Sequence, residues 1–287
     1  MPTQPAGYSV FRDYDAVVAE SIISVGNDIL WCDITRGLIR RSALGDPVDG
    51  SADTAIHLPT PVCSFQPAHS GFVASLADRV ILASPTGDII HVIATIDHAT
   101  PQMRLNEGKV DPAGRWVTGS MELTKAAPVG AFYSVAANGD VRELIGGIGT
   151  ANGLGWSPDA TTIYFTDTSV GKIFAGAYSP DGQISDIRVF HHGAPHDGLV
   201  IDIDGNFWGA IFGEGRVIHL DRDGRELYSI DLPAPNLTSV VFGGNTLYVG
   251  SAREKLTPQQ LHTHPLSGSI FAIETATTSP TPRVFAA

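Results

Sequence analysis

The residues that decide the fold read Arg104-Leu-Asn-Glu-Gly-Lys-Val-Asp-Pro-Ala-Gly-Arg-Trp116. The first half of this stretch is polar and is predicted to be a loop that carries arginine, asparagine and glutamate side chains. Asp-Pro-Ala-Gly at positions 111–114 is typical of a turn, and a strand is predicted to begin at Arg115. Because loops on a rigid scaffold usually carry the binding groups of a protein, the stretch predicts both β architecture and a functional site.

The same arrangement of a short apolar strand, a polar turn and a second strand recurs along the chain. One aromatic residue marks the first strand of each repeat; the markers are Trp31, Phe72, Trp116, Tyr164, Trp208 and Tyr248. Successive markers lie 41, 44, 48, 44 and 40 residues apart. Repeats of about 40 to 50 residues built from short strands are typical of β-propeller blades. The sequence therefore predicts an all-β, six-bladed β-propeller that forms one domain over residues 1–287.

Turns and chain ends complete this prediction. Asn138-Gly139, Asp181-Gly182 and Asp223-Gly224 are predicted to form tight hairpin turns at blade edges. An N-terminal strand near residues 8–11 is predicted to join the last repeat near residues 283–285, because closing the ring removes exposed strand edges. No segment shows the pattern of an amphipathic helix.

Composition narrows the class of protein. The chain has 43% apolar and 17% charged residues, which suits a well-buried globular core. Its net charge of −12 argues against nucleic acid as a partner. No apolar run approaches the roughly 18 residues that a membrane helix requires, and no signal peptide is recognisable. The two cysteines, Cys32 and Cys63, lack metal-finger spacing and are predicted to be reduced, so a soluble cytoplasmic protein is expected.

Five repeats carry an oxygen-bearing side chain 10 to 12 residues before their aromatic marker. These residues are Glu20, Asn106, Asn152, Asp197 and Asn236, whereas the second repeat, near residues 61–63, has none. If the repeats superimpose, equivalent positions face the same end of the central channel, so the five side chains are expected to converge there. Carboxylate and amide oxygens without thiols favour Ca²⁺, Mg²⁺ or Mn²⁺, and Zn²⁺ and Fe²⁺ are open alternatives because both accept oxygen ligands. The sequence thus predicts a metal site at one end of the channel.

Several long motifs resemble those of a single family. They are the stretch 104–115 quoted above, Asn152-Gly-Leu-Gly-Trp-Ser-Pro-Asp159 and His196-Asp-Gly-Leu-Val-Ile-Asp-Ile-Asp-Gly205. Their identity and order make the chain similar to the family of gluconolactonases, regucalcin (senescence marker protein) and luciferin-regenerating enzymes. The family consists of six-bladed propellers, and the resemblance covers most of the chain.

The resemblance implies a role for each residue that matches a family motif. Glu20, Asn152 and Asp197 are expected to hold one divalent metal ion, with calcium as the first choice and Zn, Mn, Mg or Fe as alternatives. Arg104 and Asn106 are expected to contact the substrate. A small-molecule sugar lactone is the substrate class that the resemblance implies.

Other positions depart from the family pattern or match it loosely. Glu20 lies in Ala19-Glu-Ser rather than in the usual Gly-Glu-Gly-Pro-x-Trp motif, so its assignment depends on its spacing within the repeat. Three further residues are candidate substrate contacts. Glu122 is the nearest match to an acidic residue that occurs downstream in some family members. His196 stands where proline is usual. Asn236 is the third candidate.

The resulting hypothesis is a metal-dependent lactonase that hydrolyses the cyclic ester of a sugar acid. The metal would polarise the carbonyl, and Asp197 would assist the attacking water as the catalytic residue. Two alternatives stay open: a non-catalytic regulatory propeller that binds calcium or another ligand, and an esterase or phosphoesterase that uses the same metal. No nucleic-acid or membrane partner is expected, and the protein is expected to be a monomer or a homodimer.

Overall fold

The computed structural model describes residues 7–124 and 127–287. Six four-stranded antiparallel sheets lie around a central channel and form a six-bladed β-propeller, as the repeat spacing predicts. The described residues also contain a 3-10 turn at Thr168–Val170 and one short helix, α1, at Pro258–Thr263, which the sequence pattern did not predict. No helix among these residues is long and apolar enough to cross a membrane.

The strands follow the chain from blade to blade. The chain enters through β1 (Ser9–Arg12). Blade 1 contains β2 (Ala19–Val25), β3 (Asp28–Asp33), β4 (Leu38–Ala43) and β5 (Thr54–His57). Blade 2 contains β6 (Ser64–Ala68), β7 (Gly71–Ser75), β8 (Arg79–Ala83) and β9 (Ile89–Thr95). Blade 3 contains β10 (Met103–Val110), β11 (Trp116–Glu122), β12 (Gly130–Val135) and β13 (Val141–Ile148).

The second half of the ring repeats the same order. Blade 4 contains β14 (Ala151–Trp156), β15 (Thr162–Asp167), β16 (Lys172–Tyr178) and β17 (Ile184–His192). Blade 5 contains β18 (His196–Ile201), β19 (Phe207–Ile211), β20 (Arg216–Leu220) and β21 (Glu226–Asp231). Blade 6 contains β22 (Leu237–Gly243), β23 (Thr246–Ser251), β24 (Ile270–Glu274) and, as its outermost strand, β1.

The first strand of each blade is the innermost, and the first strands of neighbouring blades contact one another around the channel. The aromatic markers lie on the second strands, for example Trp31 on β3 and Trp116 on β11. Residues 103–110, which the sequence analysis interprets as a polar loop, are strand β10. That interpretation is wrong because this strand lines a polar channel and therefore lacks the apolar alternation by which strands are recognised.

Five of the six innermost strands contain a β-bulge at a corresponding point. In β2 the register shifts between Glu20 and Ile23, and β10, β14, β18 and β22 shift at equivalent places. The innermost strand of blade 2, β6, pairs with β7 without a shift. A bulge adds one residue to a strand and redirects the side chains beside it. The blade without a bulge is also the blade for which the sequence predicts no site residue.

The hydrophobic core is divided among the six blade interfaces, with one cluster in each. Trp31 packs between blades 6 and 1, Trp116 between blades 2 and 3, and Trp208 between blades 5 and 6. All three indole rings are almost fully buried. Large aromatic side chains bury the most apolar surface per residue, so the repeat of the markers reflects a repeated need to fill an interface.

The ring closes differently from the sequence prediction. β1 pairs with β24, with Ser9 opposite Ala272, so the N-terminal strand completes blade 6 as predicted. Its partner is not the segment 283–285, and that part of the prediction is wrong. Phe285 instead forms a parallel bridge to Ala68 of blade 2 and is fully buried in the cluster between blades 2 and 3. Both segments are short and apolar, and sequence alone does not distinguish a strand partner from a core-filling tail.

The three predicted hairpin turns form as expected. Asn138-Gly139, Asp181-Gly182 and Asp223-Gly224 each connect the third and fourth strands of a blade. The three glycines have φ values of 90°, 81° and 80°, in the left-handed region that glycine enters without steric cost. These turns lie at the outer edges of blades 3, 4 and 5, away from the channel.

Candidate active site

A cavity of about 330 Å³ opens at the end of the channel where the innermost strands begin. Six of the predicted site residues line it: Glu20, Arg104, Asn106, Glu122, Asn152 and Asp197. They come from blades 1, 3, 4 and 5. Within the described parts of the chain, no side chain of blade 2 reaches the cavity. The structure therefore brings together, from four blades, residues that are up to 177 positions apart in sequence.

The bulges place the site residues through unusual backbone conformations. Ser21, next to Glu20, has a φ of 50°, and its N–H donates to the Glu20 carboxylate at 2.7 Å. Gly153, next to Asn152, has a φ of 37°. A Cβ atom on Gly153 would lie 2.6 Å from the carbonyl oxygen of Asp197, which is too close. Glycine at this position thus allows blades 4 and 5 to approach and brings Asn152 and Asp197 into one wall.

Glu20 and Asp197 place two carboxyl groups in the cavity wall. Burial, followed by the charge of Glu107, raises the pKa of Glu20 to about 8. Burial, followed by the charges of Glu20 and Glu107, raises the pKa of Asp197 well above its ordinary range. Both pKa shifts arise because water is excluded and negative charges lie close together. A cation among these oxygens would stabilise the charged form of both groups.

A chain of hydrogen bonds orients the two amide groups. Arg104 Nη1 donates to Asn106 Oδ1, and Asn106 Nδ2 donates to Asn152 Oδ1 at 2.7 Å. Asn152 Nδ2 donates to the hydroxyl of Thr168 at 2.9 Å, and that hydroxyl donates to the His196 carbonyl at 2.6 Å. Because an amide oxygen has two lone pairs, Asn152 Oδ1 can accept a second partner in addition to Asn106.

The donor set of Glu20, Asn152 and Asp197 suits a hard divalent cation. Two carboxylates and one amide oxygen are the ligand types that Ca²⁺, Mg²⁺ and Mn²⁺ prefer. In residues 7–124 and 127–287, no three His, Cys, Asp or Glu side chains cluster as a metal site. A site here therefore requires the Asn152 amide as its third protein ligand.

Arg104 and Glu122 contribute charged groups that are held in place by other contacts. Arg104 Nη1 also donates to the carbonyl of Leu105 at 2.8 Å. The Glu122 carboxylate is almost fully buried and accepts hydrogen bonds from the hydroxyl of Thr124 at 2.6 Å and from its N–H at 3.1 Å. Side chains that are anchored in this way present a fixed pattern of donors and acceptors to a small polar ligand.

His196 does not line the cavity. Its ring is 0% exposed and packs edge-on against His191, with the ring centroids 5.0 Å apart. Burial lowers the pKa of His196 to about 3, so the ring is neutral at physiological pH. This position does not agree with the expected contact to substrate. The residue reaches the site through its backbone carbonyl, which accepts the hydrogen bond from Thr168.

Asn236 does not line the cavity either. Its side chain donates to the carbonyl of Glu254 at 2.8 Å, and Thr238, two residues later, lines the cavity instead. Thr238 lies 10 residues before Tyr248, which is the spacing of Asn106 from Trp116. The range of 10 to 12 residues includes both positions, and the amide of Asn236 matches the expected ligand type whereas the hydroxyl of Thr238 does not.

Further cavity residues have no signal in the sequence pattern, among them Thr168, Glu254 and Lys255. Thr168 follows β15, and the other two lie in the loop that leaves β23. These loops follow the second strands of their blades. The predicted spacing concerns only the segments that precede the aromatic markers, so it does not include these loops.

Comparison with known proteins shows a match over most of the chain. The family model described as "SMP-30/Gluconolactonase/LRE-like region" matches residues 18–253. A 6-deoxy-6-sulfogluconolactonase of Pseudomonas putida is 33% identical over 259 residues, 87% of this chain and 88% of the relative. Human (Homo sapiens) regucalcin is 34% identical over 265 residues, 87% of each chain. The solved structure of a calcium-binding protein, regucalcin, from Agrobacterium tumefaciens superimposes with a TM-score of 0.88 at 25% identity, covering 99% of this chain and 98% of that one.

Proposed function

We propose that this protein is a metal-dependent lactonase that opens the cyclic ester of a sugar acid. The chain belongs to the SMP-30/gluconolactonase/LRE-like family. A relative named as a lactonase supports lactone hydrolysis. The observation that carries the proposal is the cavity itself, which is lined by the carboxyl groups of Glu20 and Asp197, the oriented amide of Asn152 and the guanidinium of Arg104. That combination provides acceptors for a cation and donors for a polyhydroxylated ring.

Glu20, Asn152 and Asp197 would hold the metal ion, with calcium as the first candidate. A divalent cation bound there supplies Lewis-acid polarisation of the lactone carbonyl. The chain itself contributes the fixed positions of the three oxygen ligands. The chain of hydrogen bonds from Arg104 through Asn106 keeps the Asn152 amide in one orientation.

Asp197 would act as the general base in this reaction. Its carboxyl group lines the cavity and is almost fully buried, so it is shielded from bulk water. It would accept a proton from the water that attacks the lactone carbon. Arg104 and Asn106 would orient the hydroxyl groups of the ring, and Glu122 would accept a hydrogen bond from another hydroxyl.

Hydrolysis of a panel of aldonolactones, measured with and without a chelator, tests this proposal. We expect lactone opening above the spontaneous rate, loss of turnover in chelator and recovery on addition of a divalent cation. Simple carboxylic esters and phosphoesters in the same panel test the substrate class. Turnover that persists after complete metal removal would contradict the metal dependence, and preference for phosphoesters would contradict the lactone.

A second candidate function is a non-catalytic calcium-binding propeller. It is favoured by the similarity to a solved structure described as a calcium-binding protein, regucalcin. The same three ligands would serve it. Tight calcium binding by calorimetry together with no turnover of any lactone in the panel would support this alternative over the lactonase.

A further inference from the structure

Lys255 occupies a backbone conformation that lysine rarely adopts. The N–H of Leu256 donates to the carbonyl of Arg253 at 3.2 Å, which makes residues 253–256 a β-turn. Lys255 is the third residue of this turn and has a φ of 63°. Turns with a positive φ at the third position usually carry glycine or asparagine there, because a side chain is strained in the left-handed region. The lysine side chain at this position therefore costs conformational energy that glycine would avoid.

The turn is held in place from two sides. The N–H groups of Arg253 and Glu254 both donate to the carbonyl of Val17, at 3.0 and 3.1 Å. Asn236 Nδ2 donates to the backbone carbonyl of Glu254, the residue directly before Lys255 in the chain. These contacts determine where the Lys255 side chain leaves the backbone. Strained residues whose surroundings over-determine them are concentrated at functional sites.

The Lys255 side chain lines the candidate active site. Its ammonium lies 5.6 Å from the centroid of the Phe212 ring, and Phe212 lines the same cavity. The ammonium thus lies beside a ring that lines the same cavity as Glu20 and Asp197.

This ammonium lacks a carboxylate partner. Ten ion pairs between arginine and carboxylate groups join described residues of the chain, and Lys255 takes part in none of them. The chain has 30 acidic and only 18 basic side chains, so carboxylates are abundant. A cation that lines the site, sits in a strained turn and makes no ion pair is available to a ligand.

We propose that Lys255 recognises a negatively charged substituent on the substrate, so that the preferred substrates are lactones of sugar acids that carry a further anionic group away from the ring ester. This inference rests on the lactonase function proposed above and adds a substrate class to it. A sulfonate, phosphate or carboxylate oxygen would accept a charge-assisted hydrogen bond from the ammonium, and such bonds are stronger than those between neutral groups. Asn236 acts as a positioning residue for Lys255.

Paired substrates and charge-changing variants test this inference. The substrates are glucono-1,5-lactone and its 6-phosphate and 6-sulfonate analogues, each corrected for spontaneous hydrolysis. Lys255→Met removes the charge and keeps the stem, Lys255→Gly removes both and relaxes the turn, and Lys255→Arg keeps the charge. We expect the Met and Gly variants to lose roughly tenfold in kcat/KM on the anionic lactones and less than about twofold on the neutral one. The Arg variant should retain most of the preference.

Salt provides an independent readout of the same interaction. Because Lys255 is exposed to solvent, raising the salt concentration should lower kcat/KM for the anionic lactones in the wild-type protein. The Met variant should show no such dependence. The two anionic analogues separate a phosphate preference from a sulfonate preference, since both carry the charge and differ in its number and geometry.

The possible results distinguish this inference from the proposed function. Turnover of all three lactones with equal losses in the Met variant would overturn the role of Lys255 and leave the lactonase intact. A wild-type preference for the neutral lactone would do the same. Absence of turnover on every lactone would overturn the proposed function, and the inference with it.

Discussion

The two ends of the central channel are built from the same six innermost strands and serve different purposes. At the end where these strands begin, five bulges place Glu20, Asp197 and Arg104 around a polar cavity. At the opposite end a cavity of about 230 Å³ is lined mainly by apolar side chains, among them Leu154 and Leu199, and is covered by residues 279–283 of the C-terminal tail.

This difference shows how the fold separates chemistry from stability. The polar end contains carboxyl groups whose pKa values are raised by burial, so their charged forms are destabilised unless a cation is bound. The apolar end gains free energy from burial, as with Phe285. We therefore expect substitutions at the polar end to change catalysis and substitutions at the other end to change the free energy of unfolding.

The largest expected effect is that of Asp197→Ala at the polar end. The substitution removes a metal ligand and the proposed base together, so kcat/KM should fall by about 10⁴-fold. The cation-free protein should unfold at the same or a higher temperature, because a buried carboxyl group is lost. Lactone kinetics and thermal unfolding of Asp197→Ala and Asp197→Asn provide the measurement. Loss of folding in both variants would show that the polar end also supports the structure.

Phe285→Ala is the matching test at the apolar end. The ring is 0% exposed, and the N–H of Phe285 donates to the Pro67 carbonyl at 2.9 Å. Removing the ring should lower the free energy of unfolding by about 3–5 kcal/mol and leave kcat/KM of the folded protein within about twofold. Val284→Ala is the control, since Val284 is 44% exposed and should change stability by no more than about 0.5 kcal/mol. A large fall in kcat for Phe285→Ala would show that the two ends are coupled.

Asn106→Ala should separate orientation from metal ligation within the polar end. Glu20, Asn152 and Asp197 all remain, so the affinity for a divalent cation should fall by no more than about tenfold. Turnover should fall by about 10²-fold, because Asn106 no longer orients the substrate or the Asn152 amide. Calorimetric titration with calcium and lactone kinetics on the same preparation would decide. Complete loss of cation binding in this variant would mean that Asn106 is itself a ligand.

A further test of the polar end is the pH dependence of the stability of the cation-free protein. The folded pKa of Glu20, about 8, lies above its ordinary value of 4.5, so the folded state binds a proton that the unfolded state releases. The resulting stabilisation is complete below about pH 4.5 and is lost as the pH rises through 8, on the order of 1 kcal/mol per pH unit. Thermal unfolding in chelator should show this decline, and Glu20→Gln should flatten it. If the free energy of unfolding instead rises from pH 5 to pH 8, and Glu20→Gln removes that rise, the raised pKa of Glu20 is contradicted.

Much of the architecture could be predicted because a propeller repeats one physical requirement. Each blade interface needs a bulky residue on its second strand, so Trp31, Trp116 and Trp208 recur at intervals that indicate the blade length. The same periodicity predicted that Glu20, Asn152 and Asp197 would converge, and the structure places them in one cavity. Their role as metal ligands is still a prediction.

The exceptions have a common cause in register. Asn236 was selected because it lies 12 residues before Tyr248 and carries an amide, whereas Thr238, two residues later in β22, lines the cavity. His196 was selected because it stands where proline is usual in the motif, whereas its ring is buried against His191 and does not line the cavity. In a strand, one residue of displacement reverses the direction of a side chain.

By itself, the sequence determined the number of blades, the convergence of oxygen-bearing side chains at one end of the channel and the family to which the chain is similar. These properties depend on local composition and on intervals that repeat along the chain. Only the tertiary structure decided which strands line the channel, how the ring closes and which lysine side chain lines the cavity. Lys255 shows why: its position depends on a turn held by Val17 and Asn236, which are 238 and 19 residues away in sequence. Contacts between such distant segments form only when the blades close into a ring, so they cannot be predicted from the spacing of residues along the sequence.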